Sequence, residues 1–201
     1  MDPNLKDIYL NIKDLGLTML GRAIYNATFS EQGSPYSNRL CVLDAAQGTE
    51  LVIKARIAQE HPLLIFKELL SPKENDKLLD FKQLYSQGKT YSYSDLPQIL
   101  WATTGYKIKK LTAYRDFGKL RNGLMHFAAP RFNLANETLS FIFEFTDYMT
   151  QDFWKETPAK FAEEFNPEIV TEGYLGDRIY DLKLHPNTKK YLRSKDNDFD
   201  I

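Results

Sequence analysis

The sequence predicts an all-α protein: an antiparallel up-and-down helical bundle over residues 1–165, followed by a short extension, 166–201, that is irregular or forms a β-hairpin. Three observations predict it. Apolar residues recur at intervals of three and four through the first four fifths of the chain, that period is lost after Asn166-Pro167, and no internal repeat or low-complexity tract interrupts the pattern.

The first helix carries Leu5, Ile8, Ile12, Leu15, Met19 and Ala23 at helical spacing and runs for about five turns before the break at Gly33 to Pro35. A second, from Ser37 to about Glu60, places Leu40, Leu43, Ala46, Ile53 and Ile57 on one face, with Glu50 interrupting it. An ionised carboxylate on a buried face costs several kcal/mol unless paired, so Glu50 sits near the rim, is held by Lys54 or Arg22, or looks into a site. His61-Pro62 ends that helix. A short helix over 63–70 stops at Ser71-Pro72, and a further short one spans 76–85. Ser94 and Asp95 cap a helix through Leu96, Ile99 and Leu100 that fades at Gly105. The next, over 107–127, turns Ile108, Leu111, Tyr114, Phe117, Leu120 and Leu124 inward and stops before Pro130. Leu139, Ile142, Phe143, Thr146, Met149 and Phe153 repeat on another helix, and Thr157-Pro158 opens a last one through Phe165. Beyond it, Gly173, Gly176 and the β-favouring Ile169, Val170, Tyr174, Ile179 and Tyr180 suggest a hairpin around residues 175–177.

At 201 residues and 43% hydrophobic the chain can close a sizeable core, and a mean hydropathy of -0.45 excludes transmembrane, collagenous and disordered classes. The opening residues lack the unbroken apolar run of a signal peptide, and the lone Cys41 forms no intrachain disulfide, so the expectation is a cytoplasmic protein without a membrane partner. Cys41 lies in an apolar run and reads as inert packing. The formal net charge of -1 hides an asymmetry. Residues 106–131 hold seven basic residues, Lys107, Lys109, Lys110, Arg115, Lys119, Arg121 and Arg131, against Asp116 alone, whereas residues 132–181 carry 3 basic and 11 acidic residues. A basic segment in a neutral protein attracts phosphate, or else is a solvated helix face.

Most catalytic motifs are absent: no phosphate-binding glycine loop, no GxSxG, no HExxH and no Cys pair. His61, His126 and His185 are too scattered for a zinc site, and Glu144, Asp147 and Asp152 do not form the Glu-x-x-His pairs of di-iron bundles; no metal or other cofactor is expected. What remains is Arg121-Asn122-Gly123-Leu124-Met125-His126, inside the basic segment. Arg121 and His126 are five apart, about 140° around a helix, so one straight helix does not bring them together. Asn122 and His126 are four apart and share a face, which would let Asn122 orient the imidazole. Gly123 thins the helix where a backbone or ligand approaches.

The string RNGLMH resembles the R-polar-x3-H signature of HEPN domains, the all-helical ribonucleases of toxin-antitoxin, abortive-infection and RNA-targeting immune systems. Residues 48–66, GTELVIKARIAQEHPLLIF, are similar to the helix that packs against the motif helix in many of them, and the resemblance covers roughly residues 5–160. It implies a homodimer whose motif helices face each other, so that Arg121, Asn122 and His126 of both copies build one cleft. It further implies metal-independent RNA cleavage by 2′-hydroxyl attack, leaving a 2′,3′-cyclic phosphate and a 5′-hydroxyl. An imidazole changes charge near neutral pH and suits that proton transfer, and a guanidinium suits the phosphorane oxygens. Lys110, Arg115, Lys119 and Arg131 would guide the RNA backbone, with Glu50 in support.

A second reading keeps the bundle without the chemistry: a helical module that holds RNA or a partner protein, such as a nucleotidyltransferase-type antitoxin. In it His126 is a core histidine, and Arg121 pairs with Glu50 or an acidic-helix carboxylate. The acidic 132–181 segment would, on a third reading, cover the basic helix until a partner removes it. His61 and His185, each before a proline, read as helix-end residues; Trp101 and Trp154 as core or interface; and Tyr91 and Tyr93 as loop aromatics packed back onto the domain.

Overall fold

The computed structural model describes residues 3–29, 37–71, 79, 81–127 and 133–195. In chain order the helices are α1 (Pro3–Lys6), α2 (Ile8–Thr28) and α3 (Ser37–Glu60); then come strand β1 (Phe66–Glu68), α4 (Phe81–Gln87), strand β2 (Lys89–Thr90) and α5 (Leu96–Thr104). The remainder is helical: α6 (Leu111–Phe127), α7 (Leu134–Phe141), α8 (Asp147–Trp154), α9 (Pro158–Phe165), α10 (Glu168–Thr171), α11 (Tyr174–Ile179) and α12 (Pro186–Arg193). The mostly helical character expected from the period is what is found.

The chain divides into two compact units, residues 1–15 with 50–109 and residues 16–49 with 110–201. The first contains the small antiparallel sheet, in which Phe66 faces Thr90 and Glu68 faces Lys89. Its buried side chains include Leu5, Ile53, Ile57, Ile65, Leu84, Leu96 and Leu100. The helix expected over 63–70 is instead one tight turn, Pro62–Ile65, that hands over directly to β1. His61 caps that turn, its Nδ1 accepting from Leu63 N–H at 3.2 Å, as a helix-end residue should. The expected helix over 76–85 begins at Phe81, and residues 76–78 lie outside the described ones, as does the Gly33 to Pro35 break.

The second unit is built on close helix contacts. Gly21 permits one of them: a methyl group there would lie 2.5 Å from the Phe161 carbonyl carbon of α9. The inward face of α2 is Leu17, Leu20, Ala23, Ile24 and Ala27; of the expected stripe Leu5 and Ala23 are buried, Ile8, Ile12 and Met19 half-buried, and Leu15 is 55% exposed. In α3 burial extends around most of the circumference from Cys41 to Ala58, so no single stripe defines it, and Leu40 is exposed. Between α7 and α8 the helix continues through a π turn, Ile142–Thr146. The widened turn buries Phe141 to Phe143 and Phe145 to Asp147, and Leu139, Ile142, Phe143, Thr146 and Met149 face inward as expected.

The hairpin expected around residues 175–177 is replaced by helix. Gly173 adopts φ 72°, the left-handed conformation that closes α10, and its carbonyl accepts from Asp177 N–H at 3.0 Å to start α11. Ile169, Val170, Leu175 and Ile179 are all buried, so packing overrides their local β preference. No helix among the described residues is long and apolar enough to cross a membrane.

Candidate functional site

Helix α6 positions the motif. The helix expected from 107 starts at Leu111; before it, Gly105, at φ 75°, closes α5 with its N–H on Trp101 O at 2.8 Å. From there Tyr114, Phe117, Gly118 and Leu124 are buried, fixing the rotation of the helix. At 100° per residue, Arg115, Lys119, Asn122 and His126 then fall within about 60° of arc on the opposite side. All four are exposed, a continuous stripe of cation, cation, amide and imidazole along the helix.

Arg121 departs from that stripe, half-buried and about 140° around the helix from His126, as the spacing required. Asn122 and His126 share a face, but no hydrogen bond joins them among the described residues; each reaches into solvent instead. The core-histidine reading of His126 is excluded by the same exposure. Its ring lies 6.3 Å from that of Phe127, which is 85% exposed, and Met125 is 59% exposed, so the last turn of α6 presents apolar surface beside the imidazole.

The remaining expected site residues are distributed elsewhere. Lys119 Nζ pairs with Asp116 Oδ1 at 2.8 Å on the surface. Lys110, in the turn before α6, lies 3.4 Å from Glu144 Oε2, and Arg131 lies outside the described residues. Glu50 belongs to the other unit, where Lys54 Nζ donates to its Oε1 at 2.7 Å and to Thr90 Oγ1 at 3.0 Å. Arg22, the other partner considered for Glu50, grips Asp44 with Nε and Nη2 at 2.8 and 2.7 Å.

A groove of about 530 Å³ runs between α6 and α7 on the side of α6 away from His126. Its floor is aromatic: Phe117 stacks on Phe141 at 3.8 Å and Phe141 on Phe145 at 5.1 Å. Asn133, Asn136, Glu137, Ser140 and Glu144 edge it. No three His, Cys, Asp or Glu side chains among the described residues converge in a way that could hold a metal ion.

One buried acid escaped the sequence reading. Asp147 is fully buried, and burial pushes its carboxyl up to about 7 despite the side chains of Thr188, Thr157 and Gln151. The signal was its position, four residues after Phe143 on an apolar face. Comparison with models of known families, with curated proteins and with solved structures finds no match for this chain.

Proposed function

We propose that the protein is a metal-independent endoribonuclease, acting as a toxin or defence effector, whose chemistry centres on His126 with Arg121 and Asn122. The observation that carries this reading is the exposed stripe of Arg115, Lys119, Asn122 and His126 along α6. Two cations a turn apart follow a phosphate backbone, and an imidazole at the end of their track meets the sugar and phosphate it guides. The 2′-hydroxyl loses its proton to one imidazole, the 2′-oxygen bonds to the adjacent phosphorus, and the bond from phosphorus to the 5′-oxygen breaks. A second imidazole gives that oxygen its proton. A homodimer with facing α6 helices supplies both imidazoles and brings a guanidinium to the side of the cleft that one helix cannot serve. The exposed Met125 and Phe127 provide apolar surface for that pairing. Since the nucleophile is the 2′-hydroxyl, RNA is cut and DNA is not.

The test is incubation with a mixed RNA pool in EDTA, wild type beside Arg121→Ala and His126→Ala, with chemical analysis of the ends. Cyclic-phosphate products that fall by roughly 10² to 10⁴ in rate in His126→Ala support the reading. Unchanged cleavage in both variants overturns it.

A second reading, a non-catalytic helical module that holds a partner protein of the nucleotidyltransferase-antitoxin type or RNA, is favoured by the aromatic-floored groove between α6 and α7. Absence of cleavage together with RNA affinity that is the same in wild type and His126→Ala would support it.

A further inference from the structure

Helix α12 is fastened to α8 by a chain of polar contacts that is buried at Asp147, Gln151 and Thr188 and reaches the surface at Asn187. Thr188 Oγ1 donates to Asp147 Oδ2 at 2.6 Å, Gln151 Nε2 reaches Thr188 Oγ1 at 3.4 Å, and Asn187 Nδ2 donates to Gln151 Oε1 at 3.1 Å. Asp147 and Thr188 are both 0% exposed. The other carboxyl oxygen, Asp147 Oδ1, is buried and makes no hydrogen bond of normal geometry. Ionising a carboxyl this deeply covered, with one oxygen short of a well-formed hydrogen bond, is among the costlier changes a protein interior can undergo. Thr188 of α12 is one side of the cover over Asp147, with Thr157 and Gln151 on the others.

We propose that the Asp147–Thr188 contact is an acid-tightened latch on the C-terminal segment: α12 opens from α8 most readily at neutral and alkaline pH and is held more firmly once the carboxyl carries a proton. Opened to water, Asp147 returns to the ordinary carboxylate range, roughly 4. Docked, it is pushed up to about 7 by burial. The docked form therefore binds a proton that the open form lacks between those values. Docking weakens about tenfold for each pH unit gained across that range and levels off above it.

The groups around the contact include Glu144 on the π turn, Tyr148 and Asp152 on α8, Lys155 at its end, and Lys183 and His185 before α12. Helix α12 is also held on α9, where Glu163 accepts from Tyr191 Oη and from Lys195 Nζ, the latter at 2.9 Å. Although burial raises the Glu163 carboxyl, these bonds leave it below its ordinary value, so that hold weakens only in acid below the ordinary carboxylate range. Glu144 already takes a hydrogen bond from Lys183 N–H at 3.2 Å, and Tyr148 donates to Lys183 O at 3.1 Å. His185 opposes the latch. Its Nδ1 accepts from Asn187 N–H at 3.1 Å and caps α12, an arrangement that protonation of that nitrogen abolishes. Burial lowers its pKa, with Asp152 and Lys155 acting in opposite senses, so acid below its ordinary range loosens the cap while Asp147 tightens the contact.

The experiment is hydrogen exchange of the intact protein from pH 5 to pH 8, corrected for intrinsic rates and read separately for α12 and α2. Protection of α12 below that of α2, rising by roughly 10- to 100-fold from pH 7 to pH 5, is expected. Asp147→Asn abolishes the rise, and His185→Gln steepens it. Carbon-13 titration of the Asp147 carboxyl in the wild-type protein provides a readout that needs no variant, with a midpoint near 7 expected. A midpoint near the ordinary carboxylate value, equal protection of α12 and α2, or a rise that persists in Asp147→Asn overturns the latch.

Discussion

Lys54 Nζ lies 2.7 Å from Glu50 Oε1, one helical turn away, with the two side chains only 10% and 11% exposed. Removing one partner takes away the ion pair that holds the other covered charge, so Glu50→Leu and Lys54→Met should each cost about 3–5 kcal/mol. Replacing both with apolar residues, Glu50→Leu with Lys54→Met, should cost far less than the sum. Urea unfolding of the four proteins measures the coupling; additivity within about 0.5 kcal/mol would mean the pair is not acting as a unit.

That pair was legible in the sequence because a carboxylate on a buried helix face demands a partner, and a lysine four residues on is the nearest candidate. The bounds of α3 were legible too, at Ser37 and near Glu60. Of its expected inward residues Ala46, Ile53 and Ile57 are buried, but a helix covered on most sides offers no single stripe to read, and Leu40 ends up outside. The helices after Pro167 were hidden for a different reason: Ile169, Val170 and Ile179 favour strands locally, and only their shared burial selects helix. The π turn carries no spacing signal of its own. On α6 the common face of Asn122 and His126 followed from four-residue spacing, whereas the contact between them did not, because a shared face on the solvent side imposes no contact.

Gly21 makes a separate prediction. A methyl group there would meet the Phe161 carbonyl oxygen at 2.7 Å and Ala162 N at 2.8 Å, backbone atoms that cannot rotate aside. Gly21→Ala should cost about 1–3 kcal/mol or more by overpacking, even though alanine is the better helix former. Gly105→Ala is the comparison, since nothing lies within 4 Å there and its cost comes from φ 75° alone. If Gly21→Ala raises the denaturation midpoint, α2 and α9 do not pack this closely.

Cys41 is fully buried, and burial pushes its thiol up, away from the reactive thiolate. Its Sγ donates to Asn38 O at 3.0 Å and meets Thr138 Oγ1 at 3.4 Å. Modification by a disulfide reagent at pH 8 should be undetectable in the native protein on the timescale that labels the unfolded chain, and should accelerate in step with unfolding in urea. Immediate native labelling would require an open path to α3.

The exposed stripe on α6 predicts how RNA affinity responds to salt. Arg115→Ala and Lys119→Ala should each weaken binding to single-stranded RNA without regard to sequence, and each should lower the slope of log affinity against log salt by about 0.7. The Lys119–Asp116 pair does not alter this, because an exposed ion pair is weak and opens readily to a phosphate. Lys110→Ala should change the slope less, because Lys110 is shared with Glu144 beside the groove between α6 and α7. The comparison needs a strand that is not consumed, so a 2′-O-methyl oligonucleotide serves: it keeps every phosphate and blocks the nucleophile. A slope unchanged in Arg115→Ala and Lys119→Ala but reduced in Lys110→Ala would move the phosphate track to the groove face of α6, and with it the case for His126 as the group that meets the scissile bond.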